Sequence, residues 1–182
     1  MKIKLSNVRL AFPVLFEAKT VNGEGKPAFS ASFLIDPADP QVKALNAAIE
    51  QVAKDKWGAK ADAILKQMRA QDKVALHDGD LKSNYDGFPG NLYVSARSAT
   101  RPLVIDADKT PLVEQDGKPY AGCFVNASVE LWPQDNNYGK RVNASLRGVQ
   151  FFKDGDAFAG GGAASEDEFD DISAPATADD LV

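Results

Sequence analysis

Three segments in the second half of the chain sort rings, small polar residues and arginines onto one side. At a strand period of two, Leu92, Val94 and Ala96 alternate with Tyr93, Ser95 and Arg97. Cys123, Val125, Ala127, Val129 and Leu131 alternate with Phe124, Asn126, Ser128, Glu130 and Trp132, and Val142, Ala144 and Leu146 alternate with Asn143, Ser145 and Arg147. If the three segments share a sheet, the apolar series faces a core and the other series forms an outer face. Rings on that face offer flat surfaces to unpaired bases, worth about 1–3 kcal/mol per stacked base. Arginine holds a phosphate in a bidentate fork or stacks on a base, and Ser and Asn let a ligand backbone come close. Glu130 is the member of the set that opposes an anionic ligand.

The connecting loops add cations. Residues 133–141 carry Tyr138, Lys140 and Arg141 at a tip, Arg101 follows the first of the three segments, Lys82 lies in an Asp-Gly loop before it, and Lys19 and Lys26 lie in the first hairpin. The candidate set is therefore Tyr93, Trp132 and Tyr138 for stacking, with Lys82, Arg97, Arg101, Lys140, Arg141 and Arg147 for phosphates. Nothing in the set supplies a code for base edges, so the expected preference among sequences is weak.

Charge is distributed unevenly along the chain. Through Lys153 there are 21 basic and 17 acidic residues, a net of +4, and after it nine acids with no Lys or Arg, a net of −9. These acids include Glu166, Asp167, Glu168, Asp170 and Asp171 around Phe169, and Asp179 and Asp180 before Leu181 and Val182. Such an arm imitates the charge of a nucleic acid strand. It can lie in a cationic groove on its own body or reach a basic groove on another protein. The run Gly160-Gly-Gly-Ala-Ala164 reads as a flexible tether, and disorder is expected from about residue 156. The domain reading is a body over 1–153 and a Gly-rich linker with an acidic tail over 154–182.

With 182 residues and 44% hydrophobic composition, the body can bury a core of its own. No apolar run reaches the roughly 18 residues of a membrane helix, and the alternating start Met1-Lys-Ile-Lys-Leu5 lacks a secretory block, so a cytoplasmic setting is expected. A single cysteine, Cys123, and a single histidine, His77, argue against an intrachain disulfide and against a zinc site. No cofactor is expected.

The elements that must position these residues read as follows. Residues 2–12 form a strand with a bulge near Ser6-Asn7, 13–26 a loop or hairpin tip turning at Asn22-Gly23, and 28–35 a strand whose Phe29, Ala31, Phe33 and Ile35 share a face. Asp39-Pro40 opens a helix over 40–56, with Val42, Leu45, Ile49 and Val52 on its apolar side and Gly58 at its end. A second helix spans 59–72. Residues 77–90 read as loop, strands follow at 91–99, 122–132 and 142–152, and Leu103-Val-Ile105 is a short edge strand. Trp57 reads as packing at the end of the first helix.

Four segments carry a likeness: Phe29-Ser-Ala-Ser-Phe-Leu-Ile35; His77-Asp-Gly-Asp-Leu-Lys82; Tyr120-Ala-Gly-Cys-Phe-Val-Asn-Ala-Ser128; and Asp135-Asn-Asn-Tyr-Gly-Lys-Arg141 with Gly148-Val-Gln150 beyond. Together with the acidic end, the chain resembles the bacteriophage single-stranded-DNA-binding proteins. The resemblance implies a mainly β fold: an OB-type five-stranded barrel with a two-helix insertion between early and late strands. It further implies sequence-tolerant binding of single-stranded DNA in phage replication or recombination, a homodimer, and an acidic tail that contacts replication or recombination proteins. The Leu181-Val182 end keeps an apolar tip where some relatives place an aromatic residue.

Two other readings compete. Asp78-Gly-Asp80-Leu-Lys82 superficially resembles the carboxylate and lysine pattern of metal-dependent nucleases, although acids in a Gly-rich loop more often make turns. Alternatively, the chain is a protein-interaction module that binds no DNA and buries its rings in an oligomer contact.

Overall fold

In a computed structural model of the chain, residues 1–21, 23–158 and 169–173 are described. Strands β1 (Lys2–Val21) and β2 (Glu24–Ile35) form a long hairpin. Helices α1 (Gln41–Trp57) and α2 (Ala61–Ala70) follow, joined by a 3₁₀ turn at Gly58–Lys60. Then come β3 (Leu76–Asp78), β4 (Leu92–Ser98), β5 (Leu103–Ile105), β6 (Phe124–Asn136) and β7 (Gly139–Lys153). The strands lie in the order β3-β4-β2-β1-β6-β7-β5, and a further pairing of β4 with β7 closes β1, β2, β4, β7 and β6 into a barrel. That closing pair is parallel, with Arg97 opposite Ser145. This is the expected OB-type barrel, with the helices inserted between its second and third strands.

Alternation decides what fills it. Phe29, Ala31, Phe33 and Ile35 of β2, Val94 and Ala96 of β4, Val125, Ala127, Val129 and Leu131 of β6 and Val142, Ala144 and Leu146 of β7 all point into one buried cluster. Leu45, Ile49, Val52 and Ala53 of α1 and Leu65 and Met68 of α2 close over it. Gly58 ends α1 at a φ of 57°, a backbone that glycine adopts without penalty. Cys123 is wholly buried, and burial pushes its thiol up to about 11, which leaves it protonated and inert at neutral pH.

β1 deviates from a simple strand in two ways. Its register against β6 slips between Leu5 and Val8, with Asn7 at a φ of 51°, which is the bulge expected at Ser6-Asn7. It also continues past residue 12 to Val21, where a loop was expected. A second slip against β2, between Ala11 and Val14, turns Phe12 outward at a φ of 48°. The loop expected over 77–90 contains β3 at its start and a 3₁₀ turn over Gly79–Lys82.

Disorder from residue 156 was expected, yet the chain stays on the barrel as far as Phe158. The Tyr120 hydroxyl donates to Asp154 Oδ1 at 2.7 Å, and the Arg9 guanidinium donates to the carbonyls of Gly122 at 3.0 Å and Asp156 at 2.6 Å. The same guanidinium lies 4.3 Å from the Phe158 ring centroid, and the Phe158 N–H bonds the Ala121 carbonyl at 3.1 Å. The physical reason is that Phe158 completes a small apolar cluster with Ala11, Leu34, Phe88 and Tyr93 outside the barrel, which composition alone does not reveal. The Gly-rich run and the acids Glu166, Asp167, Glu168, Asp179 and Asp180, with Leu181 and Val182, lie outside the described residues; Phe169, Asp170 and Asp171 are described and exposed.

This close approach predicts a cost at Gly122. A Cβ there would overlap the Asp156 carbonyl oxygen and sit 2.9 Å from the Ala157 Cα, at a φ of +104°. Gly122→Ala should lower stability by about 1–3 kcal/mol and make the chain near Phe158 more sensitive to protease. Urea denaturation and limited proteolysis check this; an unchanged midpoint would show that the segment docks elsewhere.

Candidate nucleic-acid interface

β4 and β7 meet at one register pair and diverge beyond it. The chain returning from α2 fills the widening gap: β3 pairs with β4, His77 opposite Tyr93, while the Val142 N–H of β7 bonds the Lys73 carbonyl at 3.1 Å. Over this junction lies an open groove of about 700 Å³. Its lining brings together Arg97 of β4, Trp132 of β6 and Arg141 of β7, with Lys26 from β2 and His77 from β3. Ser95, Asn143 and Ser145 supply the small polar surface expected of the outer face.

Local pairing sets these side chains in order. Across β6 and β7, Trp132 stands opposite Asn143 and Gln134 opposite Arg141, so ring, amide and guanidinium occupy adjacent rungs on one face. Trp132 is 40% exposed, and the Asn143 side-chain amide donates to Gln134 Oε1 at 2.9 Å. Arg97 donates one bond to the Lys26 carbonyl at 3.3 Å and remains exposed. Glu130, the residue that opposed an anionic ligand, is turned to Arg147, Nη1 to Oε2 at 3.3 Å.

The hairpin that carries Trp132 and Arg141 is braced from the helices. The Trp57 indole N–H donates to Asp135 Oδ2 at 3.0 Å, and Lys140 Nζ lies 3.6 Å from Asp135 Oδ1. The Trp57 bond, ahead of the nearby lysines, holds the Asp135 carboxyl below its usual range. Tyr138 stands at the tip, 88% exposed.

Of the nine expected binding residues, the groove collects Arg97, Trp132 and Arg141, with Tyr138 and Lys140 on its hairpin. Arg147 lies beside it in the ion pair with Glu130. Arg101 lies 5.8 Å from the Phe29 ring and outside the lining, as does Lys82. Tyr93 is a correction. It faces outward from β4 as expected, but it is 4% exposed under Phe88 and stacks on His77 at 4.8 Å, so no base can reach its ring. Burial, then the charge of Asp72, raises its hydroxyl pKa. The covering loop explains this: the Gly79 N–H bonds the Asn91 carbonyl at 2.7 Å, and a side chain at Gly79 would collide with the Phe88 and Asn91 carbonyls.

The nuclease pattern is accounted for by the same loop. Asp78 accepts the Asp80 N–H at 2.9 Å and Asp80 accepts the Gly90 N–H at 2.9 Å, the turn-forming role that acids take in such loops. Sequence reasoning overlooked His77 and Gln134 as groove residues. The alternation of β6 onward past Trp132 could have found Gln134, whereas nothing local marks His77.

The model of a family described as Enterobacter phage Enc34, ssDNA-binding protein, matches residues 1–182. Protein p50 of Acyrthosiphon pisum secondary endosymbiont phage 1 is 53% identical over 176 residues, covering 95% of each chain. The single-stranded DNA-binding protein of bacteriophage Enc34, solved in complex with ssDNA, superposes with a TM-score of 0.73 at 28% identity, over 87% of this chain and 89% of that one. The single-stranded DNA-binding protein gp2.5 of bacteriophage T7 shares the fold, with a TM-score of 0.57 at 14% identity over 97% and 99% of the two chains.

The brace has a pH signature. Because the folded pKa of Asp135 lies below its ordinary 3.8, its contribution to stability is present above the unfolded value and is lost as pH falls through the folded one. Asp135→Asn should flatten that part of the acid limb of the stability curve. Trp57→Phe should speed amide exchange in residues 133–141 at neutral pH while the helices stay protected. Exchange rates identical to the parent would mean that the hairpin holds itself.

Proposed function

The chain belongs to the Enterobacter phage Enc34 ssDNA-binding protein family, and from that footing we propose that it binds single-stranded DNA with little sequence preference in the groove over the β4–β7 junction. One observation carries this reading: Arg97, Trp132 and Arg141, from three different strands, line one groove together with Lys26 at the end of the β1–β2 hairpin. OB barrels take oligonucleotides on this face, between the first and last hairpins.

In this mechanism Trp132 stacks a base and Tyr138 a second at the hairpin tip. Arg97 and Arg141 contact phosphates, while Lys140, Arg147, Arg101 and Lys82 contribute positive potential around them. Serine and asparagine on the groove floor leave room for the sugar-phosphate chain. The groove's donors face a backbone common to all sequences, which is the reason for weak base preference. The absence of a hydrolytic step follows from the family, whose described role is binding.

The acidic arm is the second half of the proposal. The last described residue before it, Phe158, packs beside Arg9 and Phe88, and a Gly-rich tether of this length holds its acids near the barrel at an effective concentration of about millimolar. Its carboxylates compete with DNA phosphates for the groove, and DNA binding releases them to replication or recombination proteins. The domain division belongs to this proposal too, with a packed binding body and a Gly-rich, acidic extension. A homodimer and a setting in the cytoplasm of a bacterial host complete it.

Several measurements bear on this. Log affinity for oligo(dT) should fall linearly with log salt, and Arg97→Ala or Arg141→Ala should each reduce the slope by about 0.7. Trp132→Ala should cost about 1–3 kcal/mol, and in a Trp57→Phe background, where Trp132 is the remaining tryptophan, fluorescence should be quenched when the oligonucleotide binds. Deleting residues 165–182 should tighten binding at low salt. No binding at low salt would end the DNA reading, and an unchanged constant after the deletion would end the competition.

A further inference from the structure

Resting on the DNA-binding reading, the structure assigns a second stacking platform for the same single strand to Phe12 and Tyr85, with Lys82 as its phosphate contact. The platform lies at the far end of the β4 face from Trp132.

Phe12 occupies the bulge where β1 slips against β2, at a φ of 48°, and is 48% exposed. Side chains with a Cβ rarely adopt that backbone, and such outliers cluster at functional positions. Tyr85 stands edge-on to it, ring centroids 5.0 Å apart at 88°, and is 44% exposed. Phe88 lies beneath both and is buried. The result is a ring surface with a rigid base, set by a loop whose glycine admits no side chain.

Lys82 gives the patch its charge. Its ammonium lies 5.2 Å from the Tyr93 ring, 5.8 Å from Phe88 and 5.9 Å from Phe12. Among the described residues it has no carboxylate within ion-pair distance, whereas Lys118, Lys140, Arg69 and Arg147 each have one. Exposed rings beside a cation with no ion pair among the described residues suit a base with its phosphate.

The patch and the groove lie on one continuous face. Tyr93, Ser95 and Arg97 share the outer side of β4, with Leu34, Ser32 and Ser30 opposite them on β2 and Ala11 beyond Ser32. Four residues at about 3.3 Å each separate Tyr93 from Arg97 by roughly 13 Å; Ser95 and Arg97 are exposed, whereas Tyr93, Leu34 and Ala11 are buried with Phe88, and Ser32 is buried as well. A strand leaving the Trp132 groove past Arg97 and Ser95 reaches Lys82 by running onto the exposed rings of Phe12 and Tyr85, above the buried Tyr93 end of the face. The stacking role expected of Tyr93 passes to the rings above it.

The test uses the full chain and two oligo(dT) lengths, roughly six and roughly fifteen nucleotides, within the 4–16 spanned per OB fold. The parent should bind the longer oligonucleotide more tightly than the added length accounts for by number of registers alone. Phe12→Gly, which suits the positive φ, combined with Tyr85→Ala should weaken the longer complex at least tenfold and leave the shorter one and its Trp132 quenching unchanged. Tyr85→Trp in the otherwise parental chain should keep the gain, and Lys82→Gln should lower the salt slope more for the longer oligonucleotide than for the shorter. An equal affinity of parent and double variant for the longer oligonucleotide overturns the platform while the groove stands. Tighter binding by the variant also overturns it and points to the acidic arm as occupant. Failure of the parent to bind either length overturns both readings.

Discussion

A single parallel contact, Arg97 of β4 beside Ser145 of β7, closes the barrel, and the site depends on where that contact falls. Closing a five-stranded sheet requires tilted strands that separate beyond the seam. A longer seam would zip the two strands together and leave no groove. A shorter one would open the core containing Val94, Ala96, Val142 and Ala144 to water. The return from α2 resolves the conflict by bonding β4 through β3 on one side and β7 at Val142 on the other. The helical insertion is thus both a lid on the core and a wall of the groove.

The charges around the groove are arranged with the same economy. Each acid on the hairpin or the outer face is engaged: Glu130 with Arg147, and Asp135 with Trp57 and Lys140. These exposed pairs add little to stability. Their effect is on the field, because they remove the nearest negative charges from the path of an anion and leave Arg97, Arg141 and Lys26 as the groove's open cations among the described residues. The body's positive balance then works locally, although the chain as a whole carries a net charge of −5.

Arg9 holds residues 156–158 against the barrel. Its guanidinium bonds the Gly122 and Asp156 carbonyls and covers the Phe158 ring. Phe158 in turn packs on Leu34 and Phe88, the layer that supports Phe12 and Tyr85. Phe158, the residue that ends this described segment, therefore lies at the flank of the same outer face that carries the groove.

Much of the architecture was legible in the residues. Period-two alternation fixed which side of β4, β6 and β7 faces the core. The spacing of Leu45, Ile49 and Val52 gave the first helix and the register change at Ser6-Asn7 gave the bulge, because each signal is local, whereas the barrel was implied by the family resemblance of four segments. The trough shared by Arg97, Trp132 and Arg141 was an expectation that only closure could realise, since these residues are 35 and 44 positions from one end of the set to the others and no local rule sets their distance. Alternation also assigned Tyr93 to the outer face and could not show that the Phe88 loop covers it. Likewise it gave no sign that a slip at Ala11 would turn Phe12 outward, or that His77 would arrive at the groove wall. A strand's own sequence determines its two faces, whereas the solvent exposure of each face depends on what a distant segment lays over it, and that is decided only when the barrel closes.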